Sequence, residues 1–347
     1  MKAVLFLLGL LLATALFAAD PRGVGLAQEN VAIDEKTAAV IRGALKYLAS
    51  EQQANGSWIE HNEKYVTAMT GYTLLAFMAT GNLPGEGEYG KVVANGARFL
   101  TDSVQADGTY DPRHMGQYMY GHGVATIALA ELYGQTKSAE FRPKLEKAVK
   151  IILGSQNAEG GWRYSPRVGD ADISVTVLQV VALRAAKNAG LDVSQESIER
   201  AVQYVHSCYD DGSGGFCYQP RQRAPGFART AAAIYSLQVC GRYDDPKVAS
   251  GATYLTKETC IAGKHKGEWF TYGHFYAAPA MYMIGGETWE KWYNSIKKFL
   301  LDQVKRKGDT AYWDKDLDPR TPGPVYTTAV FTTVLAMPYH YMPLYQR

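Results

Sequence analysis

The sequence predicts an all-α protein whose helical hairpins repeat six times and close into a ring. Three observations carry this. A glycine-and-aromatic turn recurs along the chain, the segments on both sides of each turn have helical character, and neither end of the array looks like a polar cap.

The turns come first, because internal periodicity decides the architecture. They are Asn55-Gly56-Ser57-Trp58, Asp107-Gly108-Thr109-Tyr110, Glu159-Gly160-Gly161-Trp162, Gly214-Gly215-Phe216 and Gly267-Glu268-Trp269, with a weaker sixth at Thr310-Ala311-Tyr312-Trp313. The aromatic residues are spaced by 52, 52, 54, 53 and 44 positions. Gln52, Gln105, Gln156 and Gln303 precede four of them. The aromatics Trp58, Trp162 and Trp269 read as structural ties between neighbouring hairpins.

Upstream of the first turn, Val40, Ile41, Ala44, Leu45 and Leu48 fall at helical spacing. Pairs such as Ile152 and Leu153, or Phe299 and Leu300, hold the matching places later. Downstream segments, about 66–79, 124–132, 173–186, 228–239, 275–284 and 325–336, are more apolar and richer in alanine. A helix apolar on most sides is buried on most sides. Each repeat therefore pairs an outer helix with an inner one, and no strand pattern is present. An open solenoid needs polar capping repeats. The terminal inner segments, at 73–78 and 330–337, are as apolar as the middle ones, so the array is expected to close as one domain over residues 28–347.

Bulk composition fits this. The chain has 347 residues, 47% hydrophobic and 20% charged, with a net charge of +2. That length can bury a large core without staples. No basic run offers a nucleic-acid surface. Residues 1–27 read as a cleaved signal peptide: Lys2, an apolar stretch from Val4 to Phe17, then small residues at Ala18-Ala19 or Gly25-Leu26-Ala27. The apolar run is shorter than the about 20 residues of a spanning helix. Export to the periplasm or the extracellular space follows, with no stable membrane span. Cys208, Cys217, Cys240 and Cys260 lie in one region. In an oxidising compartment they would pair as Cys208–Cys217 and Cys240–Cys260, the alternative being buried thiols. Their spacing lacks the CxxC of a zinc site.

With its best turn copy at Gln156-Asn157-Ala158-Glu159-Gly160-Gly161-Trp162, the chain resembles the terpenoid-cyclase and protein-prenyltransferase superfamily, including squalene–hopene cyclase-like repeat proteins. The resemblance covers nearly all of the mature chain and implies an (α/α)6 toroid of six inner and six outer helices. It also implies where chemistry would sit. Class II cyclases of this superfamily protonate an alkene with the middle residue of an Asp-x-Asp-Asp motif that follows a Gly-Gly-Trp turn. Here Asp170-Ala171-Asp172-Ile173 keeps two carboxylates and places Asp172 at the acid's position, with Ile173 in place of the third. The other reading of Asp170 or Asp172 is a helix cap. The Asp-x-Cys of zinc prenyltransferases is absent, as is the Gly-Cys-Gly-Glu-Gln of thioester toroids.

In such a ring all turns into inner helices share one end. The residues that start those helices then converge on one mouth: Tyr65 and Thr67, Tyr120 and His122, Asp170 and Asp172, Arg229, His274 and Tyr276, Tyr326 and Thr327. Asp170, Asp172, His122 and His274 are the catalytic candidates, suited to acid–base work. Tyr65, Tyr120, Arg229, Tyr276 and Tyr326 are the ligand-binding candidates. Two longer loops, 219–226 and 314–324, border the same end. No metal or cofactor is expected. Three functions fit: binding of a ligand at the mouth, a divergent terpenoid cyclase using Asp172, or a polysaccharide hydrolase or lyase. The partner is correspondingly a small apolar, isoprenoid-like molecule, a peptide or a glycan.

Overall fold

A computed structural model describes residues 31–60, 65–111, 118–166, 168–222, 224–257 and 269–345. The proposed signal segment and Cys260 lie outside them. Twelve α-helices are present among the described residues, and odd and even members alternate between two layers. The outer layer comprises α1 (Glu35–Ser50), α3 (Gly90–Asp102), α5 (Phe141–Ser155), α7 (Gln195–Ser207), α9 (Pro246–Leu255) and α11 (Gly286–Gln303). The inner layer comprises α2 (Val66–Ala79), α4 (Tyr118–Thr136), α6 (Ile173–Asn188), α8 (Phe227–Val239), α10 (Phe270–Ile284) and α12 (Pro324–Ala336). Each inner helix packs on the next, and α12 returns to α2. The ring is closed, and the fold is an (α/α)6 toroid.

Burial follows sequence character. In α2 every residue after Val66 is buried, whereas α3 buries Val93, Gly96, Ala97, Leu100 and Thr101, one stripe at helical spacing. No described helix is long and apolar enough to cross a membrane.

The recurring turn is a hydrogen-bonded module. The Trp58, Trp162 and Trp313 indoles donate to Leu48, Ile152 and Leu300 carbonyls at 2.6, 2.8 and 2.9 Å. Their backbone amides, and that of Phe216, donate to the hydroxyls of Thr70, Thr176, Thr328 and Thr230, one turn into the following inner helix. Gln52 and Gln156 reach to the next outer helix region, donating to Val92 and Ser197 carbonyls at 2.9 and 2.8 Å. Gly56, Gly108 and Gly160 have φ of +88°, +91° and +93°. A Cβ there would stand 2.2–2.4 Å from a backbone oxygen of the adjacent outer helix. Only glycine permits that approach.

Three expectations change. Strand pairing is present: the fourth turn closes as β1 (Tyr209–Asp210) with β2 (Gly215–Phe216), and the sixth as β3 (Lys305–Lys307) with β4 (Thr310–Tyr312). These segments are too short for a period-2 pattern to show. Cys208 and Cys217, both buried, are not joined as a disulfide, and the expected Cys240–Cys260 pair falls partly outside the described residues. Trp269 does not tie hairpins together: it is 51% exposed, because it takes a left-handed conformation (φ 58°) that turns it away from the core.

Candidate functional site

The inner-helix N-termini gather at one end, and neighbouring repeats cap them. The Tyr164 carbonyl accepts from Met119 N in α4, and the Tyr218 carbonyl accepts from Ile173 N in α6. The Asp318 carboxylate accepts from Thr271 N in α10 at 3.2 Å. Glu60, in the first repeat, accepts from Tyr326 N in α12 at 2.9 Å and so seals the ring. These bonds satisfy amides that a helix leaves unpaired.

Within this end lies a cavity of about 560 Å3, bordered by Tyr65, Met69, Tyr72, Tyr120, Tyr164, Ile173, Ser174, Tyr218, Ala228, Arg229, Trp269, Tyr272, Asp318, Arg320 and Tyr326. Its wall is mostly phenol rings. Tyr120 stacks on Tyr164 at 5.7 Å, and Tyr72 meets Tyr326 edge-on at 4.9 Å. Their hydroxyls are tied to one another and to α6: Tyr120 OH bonds Ser174 Oγ at 2.5 Å, Tyr272 OH donates to the Ser174 carbonyl at 2.7 Å, and Tyr164 OH bonds Tyr218 OH. Burial raises the Tyr120, Tyr272 and Tyr326 phenols well above their ordinary range, so these rings stay neutral.

Asp172 stands behind this wall, fully buried. Its Oδ1 accepts from Ser174 N and Val175 N, both at 2.9 Å, and from Ser174 Oγ at 2.5 Å. Its Oδ2 accepts from Arg163 Nη1 at 2.5 Å. It is the N-cap of α6. Arg163 also binds Asp170 at 3.1 Å and donates to Tyr218 OH at 2.7 Å, while its guanidinium lies 4.2 Å from the Tyr164 ring centre. Asp170 is exposed outside the cavity and accepts from Gln219. The two carboxylates therefore hold Arg163, and Arg163 holds the tyrosine wall.

Both histidines leave the mouth. His122 and His274 occupy the inner-helix position that carries threonine in the other four repeats, and that position faces the outer layer. His122 Nδ1 bonds Tyr118 OH at 2.8 Å and Nε2 bonds the Ala148 carbonyl of α5 at 2.9 Å. Burial lowers its pKa to about 4. His274 bonds the Phe270 carbonyl at 2.8 Å and sits among the rings of Phe270, Phe227 and Trp292. Neither lines the cavity. Tyr276 is fully buried in the core against Tyr272 and Phe275.

The structure thus brings Tyr65, Tyr120, Arg229 and Tyr326 together at the mouth and removes Asp170, Asp172, His122, His274 and Tyr276 from its surface. Sequence reasoning missed Tyr72, Tyr164, Tyr218, Tyr272, Asp318, Arg320 and Trp269. Asp318 and Arg320 fall in the long loop before α12, which was a usable signal. Tyr72 and Tyr272 carried none, since an aromatic residue on an apolar helix reads as core, and Tyr164 and Tyr218 each stand two residues after a turn aromatic, on loops whose course the sequence does not fix. No group of three or more potential metal-ligating side chains is present among the described residues.

Closed ring, capped mouth and aromatic cavity define a member of the α/α-toroid class. The chain belongs to the family whose model is described as a domain of unknown function, DUF6288, which matches residues 37–342. No curated protein matches it. Among solved structures it is similar to a type II terpene cyclase from Scytonema, crystallised with merosterolic acid A, at 14% identity and TM-score 0.59, covering 87% of this chain and 96% of that one. A cellobiose 2-epimerase from Bacillus thermoamylovorans aligns at 14% identity and TM-score 0.62, over 85% and 97% of the two chains. An α-1,6-mannanase of Salegentibacter, in complex with α-1,6-mannotriose, aligns at 9% identity and TM-score 0.65, over 88% and 99%. At these identities the likeness is one of fold, and one fold hosts many functions.

Proposed function

We propose that the mouth of the toroid is a binding site for a small apolar molecule, and that the protein holds this ligand without protonating it. The observation that carries this is the chemistry of the cavity wall. Its volume falls within the about 300–1,000 Å3 of small-molecule sites. Seven tyrosines line it, and the hydroxyls of Tyr120, Tyr272, Tyr164 and Tyr218 are already bonded to Ser174 or to one another, which favours an apolar body with few polar groups.

Two catalytic readings find less support. A cyclase acid must carry a proton and present it to the alkene. Asp172 instead has both carboxylate oxygens engaged, by two amides, a hydroxyl and Arg163, and it lies behind Ser174 and not on the cavity lining. Glycoside cleavage uses two carboxyl groups about 5–9.5 Å apart. Asp318 is the one carboxylate bordering this cavity among the described residues, and it accepts from the Thr271 and Arg320 amides.

Titration calorimetry with farnesol as probe tests the reading. Saturable binding is expected, and Ala228→Trp, which fills the cavity, should abolish it. Failure of farnesol to bind, with binding of manno- or cello-oligosaccharides, would replace the ligand class. Product formation from polyprenyl substrates by the wild type and not by Asp172→Asn would restore the cyclase. The protein is also proposed to act outside the cytoplasm after removal of residues 1–27; N-terminal sequencing of the mature chain checks this.

A further inference from the structure

We infer that the ligand carries one anionic group, a carboxylate or a phosphate ester, received at the rim by Arg229 and Arg320. The inference rests on the apolar-cavity reading and adds a polarity and an orientation to it.

Four carboxylates lie around the mouth among the described residues, and each is engaged. Glu60 accepts from the Tyr326 amide. Asp172 caps α6 and binds Arg163. Asp170 binds the same guanidinium. Asp318 accepts from the Thr271 and Arg320 amides. Among the described residues here, Arg163 has carboxylate partners, whereas Arg229 and Arg320 are in no ion pair. Among the described residues Arg229 makes a single hydrogen bond, from Nη1 to the Ala224 carbonyl, and its guanidinium lies 5.9 Å from the Tyr218 ring centre. Arg320 rests 5.3 Å from the ring centre of Trp269, with no carboxylate partner among the described residues. Both border the cavity. A guanidinium has five donors. At this mouth, then, the donors left over are cationic while the acceptors are already used.

The surroundings strengthen the assignment. Planar guanidinium groups suit carboxylate and phosphate oxygens in paired geometry. Each is stacked on an aromatic ring, which limits the freedom lost on binding an anion. Trp269 and Tyr65 both start their helices in the left-handed region, at φ 58° and 62°. Bulky residues seldom adopt that conformation, and such strain concentrates at ligand clamps. Trp269 is thereby exposed at the rim, where it supports Arg320. An aromatic cavity alone would also suit a cationic ligand, but two uncompensated guanidiniums at its entrance oppose one. The apolar body of the ligand lies among the tyrosines, and its charged end faces solvent between the two arginines.

The test compares farnesol, farnesoic acid, farnesyl phosphate and farnesylamine by calorimetry on the full chain. Either anion is expected to bind at least tenfold more tightly than the alcohol, and the amine more weakly. Which anion binds more tightly identifies the source. The double variant Arg229→Gln/Arg320→Gln should remove the preference for the anions over the alcohol. Arg221→Gln, on the neighbouring loop outside the cavity lining, should change nothing. Raising the salt concentration should weaken the anions and leave the alcohol unchanged, a readout that needs no variant. Equal affinity of alcohol and anions, with no response to salt, would overturn the inference and leave the apolar cavity standing. Failure of all four probes would overturn both.

Discussion

Asp172 illustrates how one residue can satisfy a motif and yet do another job. Its carboxylate is required by the local backbone: α6 begins at Ile173, and the amides of Ser174 and Val175 need an acceptor. Removing it also takes away the buried one of Arg163's two carboxylate partners. Asp172→Ala is therefore expected to destabilise the fold by about 3–5 kcal/mol, the usual loss when one member of a buried pair is deleted. Asp172→Asn, which can still cap, should lose less, and Asp170→Ala under about 1 kcal/mol, since that carboxylate is exposed. Urea unfolding ranks the three; equal losses at 170 and 172 would contradict the capping role. His122 gives a pH signature. Its folded pKa is lowered by burial to about 4 from its ordinary value of 6.5. The neutral ring's contribution is present above pH 6.5 and is lost as pH falls through 4. His122→Thr, the residue used at this position in four other repeats, should flatten that acid limb in unfolding measured between pH 4 and 7. Tyr65, Tyr120, Arg229 and Tyr326 were legible as mouth residues because each sits at the start of an inner helix. The histidines were misplaced because being near a helix start does not fix the side on which a residue faces.

At the scale of elements, the turn module explains why the repeats were readable. Glycine is demanded by a positive φ together with contact to the neighbouring outer helix, and the aromatic residue by a buried site with a carbonyl beside it. Both demands leave a mark in the chain. Gly160 and Gly190 separate these effects. Both have positive φ, at 93° and 98°, but a Cβ at Gly160 would meet the Arg200 carbonyl oxygen at 2.2 Å, whereas at Gly190 it would meet nothing within 4 Å. Gly190→Ala should cost about 1–2 kcal/mol, the backbone strain alone. Gly160→Ala should cost clearly more, because the third and fourth outer helices must separate. Thermal melting of the two variants compares them directly. The fifth turn escaped this logic. Trp269 carries the expected aromatic residue at the expected spacing, yet its backbone conformation sends the ring to the mouth.

Over the whole molecule, the two ends of the ring differ in character. The mouth is aromatic with cationic groups at its rim. The opposite end is filled by the last turn, Pro343–Tyr345, which packs against α6 and α10. Glu131 of α4 is buried there, with the Leu344 amide and Gln135 for company, and burial raises its pKa to about 8 from its ordinary value of 4.5. For a carboxyl whose folded pKa is raised, stability is fully present below the unfolded value and declines as pH rises through about 8. Glu131→Gln should remove that decline and make the variant, relative to the wild type, more stable at pH 9 than at pH 5. Unfolding at pH 5, 7 and 9 checks this; its window, from 4.5 to about 8, overlaps that of His122 but has the opposite sign. Nothing in the sequence marked Glu131, because a lone acidic residue in an inner helix gains meaning only once the closing turn is in place.

The seal between Glu60 and α12 has one more consequence. Since α12 rests on α2 and α1 rests on α12, no repeat is privileged as first or last. Helix α1 enters at the end opposite the mouth, and α12 finishes there, so the first and last described residues emerge on the same side. A circular permutant that joins these ends by a short linker and opens the chain between α4 and α5 should fold to the same toroid. In the natural order, closing the ring is the one long-range step, joining partners 266 positions apart between Glu60 and Tyr326. The permutant would move that closure to the contacts of α4 with α5 and α6 and should fold at a similar rate and with similar stability.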